Sequence, residues 1–221
     1  MTAFFERLKQ ETMSERTELL SIPFIVEGAA GRLGRDSYIA FLTQAYHHVK
    51  HTTPLLMACG ARVPHQAEWL RDAMAHYISE EIGHQEWILD DLVACGMERE
   101  AIRNSEPEIT TELMVAYAYD LVQRVNPVGL LGMVLVLEGT SIQIALAAAD
   151  KIQAALGLPD EAFSYLRSHG SLDVSHMQFY EDVVNKLESE ADRQCVIHTA
   201  KVFYRLYGDI FRALPRQRLA A

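Results

Sequence analysis

Apolar and polar residues along this chain recur with the period of an α-helix, and the β-branched alternation of strands is missing from the long segments. Gly and Pro fall between those segments. The pattern predicts a first helix from about Thr2 to Leu20, ending before Ile22-Pro23. A short piece over Phe24 to Gly31 and a second helix from Tyr38 to about Cys59 follow. A third helix is predicted from about His65 to Ala94, with Gly96 just beyond its end. After a short piece near Glu98 to Arg103 come a helix from Ile109 to Val125 and a long one opening at Pro127 and reaching Leu156. The last two run from Asp160 to about Leu187, with a bend expected at Gly170, and from Glu190 to Leu214. The expected fold is an all-α bundle in a single domain over residues 1–221.

Three of these helices carry polar groups where the apolar stripe should continue. In the third, Leu70, Met74, Tyr77, Ile88 and Leu92 define a core-facing stripe. Extending its rhythm through YISEEIGHQEW places Glu81 and His84 on the stripe and leaves Glu80 about 100° away, where its loss should cost little. The long helix reads GLLGMVLVLEGTSIQIALAAADKI and has one ionisable side chain between Gly129 and Ala149, namely Glu138. A helix apolar on all sides is central, and a lone carboxylate there is costly unless paired, protonated or metal-bound. In the next helix, HGSLDVSH sets His169, Asp173 and His176 within roughly 60° of one another on one face. A bland reading exists for each: a Glu81–His84 hydrogen-bonded pair, an exposed Glu138, helix caps at His169 and Asp173. Together they offer three carboxylates and three imidazoles, a set that suits iron or manganese better than a thiolate-type zinc site. Bundles that bind two irons draw such ligands from several helices.

Composition narrows the function without changing the fold. The chain has 221 residues, of which 49% are hydrophobic and 23% charged, with a net charge of −10. No Lys/Arg cluster is dense enough for a nucleic-acid surface. The longest apolar run, Gly129 to Leu137, is too short to span a bilayer. The three cysteines, Cys59, Cys95 and Cys195, are scattered and form no disulfide framework, and a cytoplasmic location is expected.

The segments Glu81-x-x-His84, a lone Glu138 and His169-x3-Asp173-x2-His176, in that order, resemble those of the heme-oxygenase-like di-iron oxidases, or iron-containing redox enzymes. The resemblance covers nearly the whole chain, including Tyr46-His47-His48. It implies the heme-oxygenase-like (TenA-like) bundle of seven to eight helices, and an O2-dependent oxidase or oxygenase acting on a small amino-acid-like or fatty-acid-like substrate. By the same resemblance Glu81, His84, Glu138, His169, Asp173 and His176 would hold two Fe(II) ions, with manganese as the alternative metal and no haem. An external electron donor and a homodimer are further expectations. His48, His51 and Tyr180 are candidates for a surrounding layer that relays protons or lines the pocket. The rivals are a metal-free TenA-like or PQQ-oxidase-like enzyme, a haem oxygenase and a ferritin-like iron store. A haem oxygenase would need an axial His, usually on the first helix, and residues 1–37 contain none.

Overall fold

The structure is a computed structural model that describes residues 3–216, apart from the side chains of 141–144, 146–147 and 169–175. Its helices are α1 (Phe4–Glu11), α2 (Met13–Leu20), α3 (Pro23–Ala29), α4 (Arg35–Val49), α5 (Thr52–Arg62), α6 (Glu68–Glu81), α7 (His84–Ala94), α8 (Arg99–Arg103), α9 (Ile109–Asp120), α10 (Leu130–Leu156), α11 (Ser164–Asn185) and α12 (Glu190–Ala213). The all-α class holds, but the described residues form twelve α-helices where seven to eight are expected. The difference comes from three expected helices that are each broken in two, and from the two short pieces that form α3 and α8.

Each break has a local cause. The first falls at Thr12, whose hydroxyl donates to the Leu8 carbonyl and competes with the backbone ladder. The second separates α4 from α5: Pro54 has no N–H and its ring crowds the carbonyl of Lys50, four residues earlier. The third lies between α6 and α7. There Ile82 is extended and Gly83 adopts φ 96°, a left-handed conformation that glycine takes without a Cβ clash.

The apolar α10 sits centrally, as its sequence requires, and packs most extensively against α11 and then α12. Leu131, Val136 and Ala149 are among its fully buried side chains. Its first turn lies close to α12, where the Thr199 hydroxyl donates to the Gly129 carbonyl at 2.8 Å. Among the described residues no helix is long and apolar enough to cross a membrane.

The N-terminus of α11 is held by a side chain from α7. The fully buried Asp91 accepts the backbone N–H groups of Ser164 at 3.0 Å and Tyr165 at 2.9 Å, and also the Ser164 hydroxyl. These are donors that a helix start leaves unsatisfied, so the carboxylate caps α11 from another element. Burial pushes the Asp91 carboxyl up from 3.8 to about 6, against these donors, which hold it down. A folded-state value above the unfolded one makes this group's contribution most favourable below about pH 4 and loses it as pH rises through about 6. The unfolding free energy of wild type relative to Asp91→Asn should therefore fall by about 2 kcal/mol between pH 4 and 7. Denaturant titrations of the two proteins across that range measure it, and a pH-independent difference would contradict it.

Candidate metal centre

Three helices bring the site together. Glu81 is the last residue of α6, Glu138 lies in the middle of α10, and His176 faces them from α11. All three are buried, at 7%, 9% and 3% exposure. One ligand-type atom from each lies within 4.8 Å of the others. His176 Nδ1 is 3.8 Å from Glu138 Oε1 and 3.9 Å from Glu81 Oε1. His84 opens α7, with Nδ1 3.0 Å from Glu81 Oε2. Its ring stacks on Trp87, one turn further along, at 4.1 Å between centroids. Four of the six expected ligands thus share one buried locus. The other two, His169 and Asp173, have side chains outside the described residues.

The Glu81–His84 pair is adjacent for a different reason from the one its spacing suggests. The two do not share a continuous helical face. They flank the Ile82-Gly83 joint, which turns Ile82 outward, at 64% exposure, while returning His84 to the interior. Gly83 has nothing within 4 Å of where a Cβ would stand, so its backbone conformation, not crowding, selects glycine.

Glu80, on α6 beside Glu81, stands nearer the site than its offset from the apolar stripe suggests. Its carboxylate is 2.6 Å from His176 Nε2, on the opposite side of the ring from Glu81 and Glu138. Glu80 is more than a third exposed, yet it grips the ring edge that the buried carboxylates do not reach. A carboxylate beyond a histidine is a recurrent way to fix which ring nitrogen faces a metal.

The proposed outer layer fares unevenly. His48 is buried, lines the cavity described below and meets the Tyr207 ring edge-on at 5.8 Å. His51 does not share its face, because the α4–α5 break intervenes. His51 Nδ1 is instead 3.1 Å from the Tyr119 hydroxyl. Burial and the nearby Lys50 charge lower its pKa. Tyr180 is fully buried, and its hydroxyl donates to the Leu131 carbonyl at 2.8 Å, so it serves the core. His47 belongs to a separate lock: Lys50 Nζ donates to Nδ1 at 3.2 Å, which leaves Nε2–H to donate to Ser105 Oγ at 2.9 Å. Burial, then Lys50, then His51 lower the His47 pKa to about 4, so the ring is neutral.

Beside the centre lies a cavity of about 150 Å³. Glu81 and Glu138 form part of its wall, and Leu55, Leu56, Met133, Leu137 and Phe211 are among its apolar lining. No Lys, Arg or Cys is among its described lining residues. A cavity of that size holds a molecule such as benzene.

The fold is shared with solved structures at low identity. A domain of unknown function with a heme oxygenase-like fold from Shewanella denitrificans OS217 aligns at TM-score 0.83 and 23% identity, covering 94% of this chain and 90% of that one. A TenA homolog from Pseudomonas syringae pv. tomato aligns at 0.80 and 9%, covering 95% and 91%. Heme oxygenase from Leptospira interrogans aligns at 0.76 and 16%, covering 96% and 100%. No curated protein matches the sequence. The model of the family described as iron-containing redox enzymes matches residues 39–208, and this chain belongs to that family.

Proposed function

We propose that the chain is a non-haem di-iron oxidase or oxygenase that uses O2 to oxidise a small, largely apolar organic molecule. The observation that carries this reading is the convergence of Glu81, Glu138 and His176, with His84 beside them, on the wall of an apolar cavity. The donor set fits iron: hard carboxylate oxygens with imidazole nitrogens, and no thiolate. Buried carboxylates brought this close are stabilised by cations. His169 and Asp173, seven and three residues before His176 on α11, complete the proposed ligand set. Bound ferrous ions would supply the electrons for O2 reduction.

The protein's own groups do the rest. Glu80 keeps the far edge of His176 occupied, so Nδ1 stays turned toward Glu81 and Glu138. Glu138, from the central helix, lies close to both Glu81 and His176 and would hold metal together with them. The largely apolar wall offers water few hydrogen-bond partners on the substrate side. That wall supports one of the two substrate classes over the other. With no Lys or Arg in its described lining, it gives a free amino acid's carboxylate no cation, whereas an alkyl or aryl body is accommodated. A metal-free TenA-like activity is the alternative on this fold, and a cavity without a described cysteine argues against a thiol-based version.

Anaerobic titration with Fe(II) should load about two ions per chain. At a free concentration of 100 times the Kd, the loaded protein should be stabilised by about 2.7 kcal/mol over the chelator-treated one, raising the Tm by roughly 5–10 °C. Exposure to O2 should then oxidise the iron faster in wild type than in His176→Ala. If loaded and chelated samples melt together, the site does not bind metal.

A further inference from the structure

We propose that the Tyr77 phenol is the hydrogen-bond donor that orients the cavity's ligand, an apolar molecule with an acceptor oxygen at the end nearest Glu81 and Glu138. The inference rests on the cavity being the substrate chamber and deepens that reading.

Tyr77 stands on α6 one turn before Glu81 and is 2% exposed. It lines the cavity together with Glu81 and Glu138. Its ring is fixed by an edge contact with Phe179 at 5.1 Å. Its hydroxyl is buried and has no hydrogen-bond partner among the described residues. Other hydroxyls in this core end on protein acceptors: Tyr38 donates to the Ala162 carbonyl, Tyr180 to the Leu131 carbonyl and Thr140 to the Val136 carbonyl. A buried hydroxyl with no partner costs stability, and phenylalanine would fill the same ring volume without that cost. The hydroxyl is therefore accounted for by something that enters the cavity and accepts from it.

The position defines what that is. Burial, then the charge on Glu138, raise the Tyr77 pKa well above the ordinary phenol value, so the group remains an O–H donor. A carbonyl, ether or carboxylate oxygen can accept from it. The remaining walls are chiefly apolar, so the rest of the ligand is hydrocarbon-like.

The test compares acetophenone with α-methylstyrene, which share a heavy-atom skeleton and differ by a carbonyl oxygen in place of a methylene. Calorimetry measures both affinities for wild type and Tyr77→Phe, in the protein as purified and after chelation. Tyr77→Phe should reduce the preference for acetophenone by about 2- to 13-fold, the worth of one hydrogen bond, and leave α-methylstyrene binding unchanged. The ligand-free variant should melt roughly 2–6 °C above wild type, because an unmet donor has been removed. A structural hydroxyl would move the Tm the other way. An unchanged preference, a lower Tm for ligand-free Tyr77→Phe, or a wild type that binds neither compound would overturn the proposal. A wild type that discriminates through Tyr77 yet takes up no iron would sustain it and remove the di-iron reading.

Discussion

Replacing Glu138 by alanine is expected to strip the protein of at least one iron while leaving its helices formed. Glu138 is the one ionisable residue on α10 between Gly129 and Ala149, and Glu81 and His176 converge on it. Alanine is the best helix former, so α10 itself loses nothing by the change. The loss should exceed the roughly 10- to 100-fold drop in affinity that follows removal of a group one layer further out. Glu138→Gln separates charge from shape, since the amide keeps the volume but is a poor ligand for a hard cation. Both variants should retain wild-type helical circular dichroism, and both should hold less iron per chain after anaerobic loading and desalting. His198→Ala, an exposed change on α12, serves as the control and should load normally. If Glu138→Gln loads iron as wild type does, Glu138 is not part of the centre.

The sequence discloses this centre where a polar residue interrupts an apolar pattern. Glu138 stands out because its helix is apolar on every side, and Glu81 and His84 because they fall on a stripe otherwise made of Leu, Met, Tyr and Ile. The fold class follows from the same periodicity. Helix ends are harder to see, since a buried face continues across a break and the rhythm survives it. Pro54 is a legible signal inside the predicted second helix, and it accounts for the separation of His51 from His48. Gly83 is a weaker one, because a glycine inside a helical pattern is often tolerated. Glu80 keeps its offset from Glu81, since both lie on α6, but the offset does not tell that His176 of α11 packs close enough for the Glu80 carboxylate to meet its ring, which is a property of helix packing. Tyr77 reads from the sequence as one more apolar stripe residue. The role of its hydroxyl depends on which carbonyls lie within reach, and that is a property of the assembled core.

Gly132→Ala should be the most damaging single-methyl change in the bundle. A Cβ at position 132 would collide with Thr199 Oγ1, and would stand 2.5 Å from the Ala200 nitrogen and 3.0 Å from the Thr199 carbonyl carbon. Two of those atoms are α12 backbone, so a rotamer change cannot clear them. The hydroxyl is also committed, donating to the Gly129 carbonyl at 2.8 Å. Relief requires α12 to move away from α10, which opens packing around Val196, Ala200 and Phe203, all fully buried. The cost should reach about 3 kcal/mol, the upper end of ordinary overpacking, against about 1 kcal/mol gained from alanine's helix propensity. The net of about 2 kcal/mol corresponds to a Tm lower by roughly 4–8 °C. Gly139→Ala, seven residues further along the same helix, supplies the contrast. Its Cβ would meet Leu135 Cδ1 at 3.9 Å, an ordinary contact, so the propensity gain should appear there as a stabilisation of up to about 1 kcal/mol. Thermal unfolding of the two variants beside wild type reads both signs. A Gly132→Ala protein melting at or above wild type would mean that α10 and α12 do not approach as closely as described.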